Sequence, residues 1–210
     1  QYSESLYFPN DKSFSLISSG TPENTIISGS SNSVIRTSGS INYYLEGFSI
    51  TGGDADHGGG LDIRHSTITI KNCVISNNSA SQYGGGISVM DGATVNIENV
   101  IIKDNTASNG GAGIFGYNPG STINMDKVLI LNNSTGSPGG GIFMHKGSSF
   151  NLYNVSIVGN SASQGGALGG FDCEGTSLQV INSIIYSNSS NLTPEYPIYW
   201  PCSQHNASIQ

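Results

Sequence analysis

The chain has 210 residues, with 14 acidic against 7 basic side chains and a formal net charge of −7. That balance provides no positive footprint for nucleic acid or anionic lipid, so no nucleic-acid partner is expected. Only 10% of residues are charged, against roughly 25% in ordinary domains, too few for the wet faces of long helices.

Gly (29), Ser (34) and Asn (22) dominate the composition, and the longer apolar side chains are mostly Ile, Val and Leu. A sheet-rich, extracellular protein is the expectation. The apolar runs fall far short of the ~20 residues that a spanning helix needs, so the chain is not expected to be membrane-spanning. No signal-like segment precedes Gln1, and the sequence reads as a mature or trimmed stretch of a longer polypeptide.

In chain order, residues 1–57 contain short strand-like stretches at Leu6–Phe8, Phe14–Ile17, Thr25–Ile27, Val34–Arg36 and Leu45–Ile50. They form degenerate N-terminal coils. From residue 58 to 190 a repeat takes over. Gly58-Gly59-Gly60-Leu61 recurs as Gly84-Gly85-Gly86-Ile87, Gly111-Ala112-Gly113-Ile114, Gly139-Gly140-Gly141-Ile142 and Gly165-Gly166-Ala167-Leu168. The aliphatic positions lie 26, 27, 28 and 26 residues apart. A second motif keeps the same register and ends at Asn78, Asn105, Asn133, Asn160 and Asn188.

Within the unit from Gly84, three stretches alternate with period two: Ile87–Met90, Thr94–Glu98 and Val100–Lys103. Short, β-branched and bounded by turn residues, they read as strands. Three short strands in about 27 residues describe one coil of an all-β, single-stranded right-handed parallel β-helix. Stacked coils place equivalent residues in columns. Three such columns point inward: Leu61 to Leu168, Ile70 to Val180, and Ile75 to Ile185, apolar at every position. The outward column Thr69, Asn96, Asn124, Asn151 and Gln179 is polar throughout. The column Asn78 to Asn188 fits left-handed backbone with side-chain amides bonded along the stack.

Residues 191–210 carry three of the seven prolines, with Trp200 and Cys202, and break the repeat. They are expected to cap the last coil, with Cys173 and Cys202 placed to form a disulfide. Cys73 lies in an inward column and reads as a buried free thiol.

The run LEGFSITGGDADHGGGLDI, with its following NxxIxxNxA and GGGI units, resembles the right-handed β-helix repeat proteins of the pectin-lyase-like superfamily. It is similar in style to bacterial secreted and surface repeat proteins and to the chlamydial polymorphic outer-membrane protein repeats. The resemblance implies a secreted or cell-surface location and a glycan or cell-surface partner. It transfers no single activity, because the superfamily hosts lyases, hydrolases, epimerases and adhesins.

Lyase chemistry of that superfamily requires carboxylates for calcium and a base beside the sugar acid. The one dense charged cluster joins Asp54, Asp56 and Asp62 with His57, Arg64 and His65. This makes Asp54, Asp56 and Asp62 candidate calcium ligands, and Asp62, Arg64 and His65 candidate catalytic residues. Equally, the cluster reads as turn residues and a surface ion pair. Paired carboxylates for hydrolysis are missing from the outward columns.

Phe115, Tyr117, Phe143, His145 and Phe171 fall in two adjacent outward columns. They read as an aromatic platform for sugar rings, or as rings covered by a loop or the tail. The expectation is a binding or adhesive module with carbohydrate as its candidate ligand; the alternative is a polysaccharide-active enzyme, a lyase or epimerase.

Overall fold

The computed structural model describes residues 2–171, 174–192, 197–199 and 206–209. Every strand pairing is parallel, and strands pair with their equivalents in the preceding and following coils.

Each regular coil presents four faces in chain order. Face 1 is an eight-stranded sheet that includes Leu6–Tyr7, Ile35–Thr37, Leu61–Arg64, Ile87–Met90, Ile114–Tyr117, Ile142–His145, Leu168–Phe171 and Ile198–Tyr199. Faces 2 and 3 form one 14-stranded sheet, joined through the ten-residue strands Thr94–Lys103 and Thr122–Leu131. Face 4 is a six-stranded sheet running from Asp54–His57 and Ser79–Tyr83 to the two-residue strands Thr106–Ala107 and Ser189–Ser190. The three stretches predicted in the unit from Gly84 supply faces 1 to 3. Face 4 carries no apolar alternation by which the sequence would announce it.

The predicted columns are in register and buried. Leu61, Ile87, Ile114, Ile142 and Leu168 are each 0% exposed. Ile70 to Val180 are buried as well, and in the third column only Ile185 is partly exposed. Burying one such side chain is worth about 1.5–3 kcal/mol. Cys73 sits in this core, where burial pushes its thiol up to about 11. The N-terminal coils join the same sheets without interruption, Ile35 pairing with Leu61 and Leu45 with Ile70.

Left-handed residues turn the corners. Between faces 2 and 3 these are Asn72, Asn99, Lys127, Asn154 and Asn182, with φ between 48° and 56°. Between faces 3 and 4 they are Asn77, Asp104, Asn132, Gly159 and Ser187. The left-handed position therefore lies one residue before the Asn78 column rather than in it. Asn78, Asn105, Asn133, Asn160 and Asn188 instead turn inward as an amide ladder. The Nδ2 of each of the first four donates to the Oδ1 of the next at 2.9–3.0 Å, and all five donate to a carbonyl such as Ile75 or Ile102 at 2.8–3.1 Å.

The corner from face 4 to face 1 is tight. Gly84 has φ +71°, and a Cβ on Gly85 would lie 2.2 Å from the Thr106 carbonyl oxygen. At Gly85 the backbone leaves no room for a Cβ, although one coil on the equivalent position is taken by the buried Ala112. The resulting inside corner buries residues that strand parity points outward: Asp62 and Ser88 are 0% exposed, Phe115 2% and Phe143 5%.

The tail adds strands to two faces. Ile198–Tyr199 pairs with Leu168 and Gly169, and Asn206–Ile209 with residues 177–180. Cys173, Cys202 and their expected disulfide lie outside the described residues. Among those described, no helix is long and apolar enough to cross a membrane.

Candidate functional site

Where faces 1 and 4 meet near the N-terminal end, the inside corner opens into a groove of about 640 Å³. Its face 1 wall carries Tyr7, Arg36 and Arg64, and its face 4 wall carries Asp54, Asp56, His57 and Ser81.

The face 1 wall is organised around a buried carboxylate. Arg36 donates from Nε and Nη2 to Asp62 Oδ2, both at 3.0 Å. Arg64 Nε reaches Asp62 Oδ1 at 3.1 Å and Oδ2 at 3.2 Å. Two guanidiniums thus compensate one carboxylate that has no contact with water, the condition under which a buried charge is tolerable. The arginines themselves stay partly exposed, Arg36 at 52% and Arg64 at 31%.

On the opposite wall, Ser79 Oγ donates to Asp54 and Ser81 Oγ to Asp56, each at 2.6 Å. Between the walls lies His57, whose ring stacks on Tyr83 at 5.9 Å and 9°. Burial, and secondarily the Arg64 charge, holds its imidazole below the ordinary histidine range, so it is neutral at pH 7.

From His57 a ladder of rings runs along the corner. Tyr83 stacks on Phe115 at 4.4 Å, and Phe115 on Phe143 at 5.8 Å. Tyr117 lies 5.9 Å from Phe115, and His145 lies 5.2 Å from Tyr117 and 5.9 Å from Phe143. Lys146 Nζ sits 5.5 Å above the Tyr117 ring, within cation–π range. The corner is therefore charged at its N-terminal end and aromatic further along.

The predicted residues divide accordingly. Asp62 and Arg64 are brought together, and His65 is linked to them through Asp91, whose Oδ2 also lies 3.9 Å from Arg64 Nη1. His65 occupies a left-handed corner with φ 53°, its Nε2 3.9 Å from Asp91 Oδ2. Asp54, Asp56 and Asp62 do not gather around one point: among the described residues, no group of three or more His, Cys, Asp or Glu side chains forms a metal cluster. Asp62 is instead saturated by guanidiniums. Phe115 and Phe143 do stack as neighbours, yet both are buried in the corner, so an open platform is not what they form. Tyr117 and His145 keep partial exposure. The side chain of Phe171 lies outside the described residues.

Two contributors escaped sequence reasoning. Arg36 precedes Asp62 by one coil and pairs with it in register, a spacing visible once the repeat is extended into residues 1–57. Tyr83 immediately precedes a glycine cluster, in a corner that strand alternation does not reach.

No curated protein and no solved structure matches the chain. A family model described as a right-handed beta helix region matches residues 17–193. It covers most of the sequence and agrees with the parallel coils and their columns. The chain belongs to the right-handed β-helix family.

Proposed function

We propose that the protein is a secreted or surface-displayed binding module whose groove accepts a linear saccharide. The observation that carries this reading is the groove itself. Both walls present polar groups held by neighbouring side chains, and the corner continues along the solenoid axis into stacked rings. Prefixed donors and acceptors suit a ligand rich in hydroxyls, because little ordering cost remains to be met on binding. Partly exposed rings such as Tyr83 and Tyr117 suit the apolar faces of sugars. The composition and the resemblance to secreted and surface repeat proteins support the location.

A glycan array with and without calcium tests the reading. Binding is expected on extended glycans, without dependence on calcium. Arg36→Ala and Tyr83→Ala should each weaken it about tenfold, the equivalent of roughly 1.4 kcal/mol, while circular dichroism stays unchanged. Loss of binding in neither variant would contradict the groove as the site.

The neutral His57 beside Arg64 supports a second reading, elimination chemistry on a sugar acid with His57 as base. Growth of ultraviolet absorbance from an unsaturated product would favour it over simple binding.

A further inference from the structure

The charges of the groove are sorted by sign. Asp54 and Asp56 come just before the glycine corner that begins at Gly58 and lie on face 4. Asp62 and Arg64 come just after it on face 1, where register adds Arg36. Folding back at the glycines therefore sets an acidic wall opposite a basic one.

Neither wall neutralises the other. Among the described residues, no ion pair joins Asp54 or Asp56 to an arginine, and Asp62 is the carboxylate that both guanidiniums share. One carboxylate against two guanidiniums leaves positive charge over. Asp62 occupies Nε and Nη2 of Arg36 and Nε of Arg64, so further Nη donors remain on both. The next acid, Asp91, stands 3.9 Å from Arg64 Nη1, beyond hydrogen-bond length. On the acidic wall, Asp54 and Asp56 each accept one serine hydroxyl through Oδ1. Their Oδ2 atoms have no partner among the described residues.

Unmatched charges of opposite sign on facing walls select a ligand that carries both. A polyuronate would satisfy the arginines but set further carboxylates against Asp54 and Asp56. A chain of amino sugars would do the reverse. Building on the saccharide reading above, we propose that the groove takes a zwitterionic glycan in which free amino sugars alternate with acidic ones. Ammonium groups pair with Asp54 and Asp56, and carboxylates with Arg36 and Arg64. In a linear chain whose successive sugars face opposite ways, neighbouring substituents reach opposite walls.

Hyaluronan octasaccharide and its N-deacetylated form are matched probes, since both carry the same carboxylates and only the second carries ammonium groups. Chitosan octasaccharide supplies the amines without the acids. In isothermal titration at physiological ionic strength, the N-deacetylated hyaluronan should bind about fivefold more tightly than either of the others. An Asp54→Asn, Asp56→Asn double variant keeps an oxygen to accept from Ser79 and Ser81, and circular dichroism should show it folded. It should lose the preference over hyaluronan, and Arg36→Gln the preference over chitosan. Equal binding of hyaluronan and its N-deacetylated form, or a preference that survives in the double variant, would overturn the proposal. Neutral cello-oligosaccharides separate the two readings. If they bind as tightly as the zwitterionic probe, the groove remains a saccharide site and the zwitterion falls; if no probe binds, charged or neutral, both fall.

Discussion

Asn133 shows how much one side chain holds in this architecture. Its Nδ2 donates to the Ile102 carbonyl and to Asn160, and its Oδ1 accepts from both the backbone N–H and the side chain of Asn105. It is 0% exposed, so truncation leaves buried donors that water cannot reach. Asn133→Ala should lower unfolding free energy by about 3 kcal/mol or more, and Asn188→Ala, at the partly exposed end of the ladder, by about 1 kcal/mol. Chemical denaturation of the two variants measures both.

His57 offers a pH signature with a fixed sign. Its pKa is lowered in the fold from the ordinary value of 6.5, chiefly by burial, so the folded state disfavours the protonated ring. The stability this contributes is complete above about pH 6.5 and is lost as pH falls toward the folded pKa. The melting temperature should drop less on acidification in His57→Gln than in the parent chain. Equal drops would show that His57 does not titrate in this way. That the histidine lay near the acidic cluster was legible in the sequence. Its neutrality was not, because burial comes from Tyr83 and the walls of the corner.

At the scale of the element, the glycine corner decides what the groove can be. A Cβ on Gly85 would press against the carbonyls of Thr106 and Ala112 at 2.2 and 2.7 Å, whereas a Cβ on Gly136 would meet nothing within 4 Å. Gly85→Ala should cost about 3 kcal/mol and Gly136→Ala less than about 0.5 kcal/mol, a contrast that thermal melts resolve. The same corner explains which parts of the fold sequence reasoning could reach. Columns such as Ile75 to Ile157 were legible because period two and a period near 27 reinforce each other. Face 4 was not, since strands such as Thr106–Ala107 are too short to alternate. Parity correctly sent Phe115 and Phe143 outward, but their burial arises from a concavity between two faces, which no pattern along a single strand encodes. The guanidinium partner of Asp62 was hidden for a related reason: Arg36 lies a full coil away.

For the whole molecule, the consequence of stacking is direction. The groove and its rings run across coils, along the axis on which the protein repeats. A ligand that is itself linear and repetitive can therefore gain contacts coil by coil, up to the length of the corner. Affinity should then depend on ligand length more than on any single sugar. Isothermal titration of a homologous series of oligosaccharides, chosen from the glycan that binds best, measures this directly. The dissociation constant should fall stepwise with each added unit until the corner is filled, then level off, and Tyr83→Ala should flatten the series. A constant independent of length, or a series unchanged by Tyr83→Ala, would contradict the groove as a site for a linear saccharide.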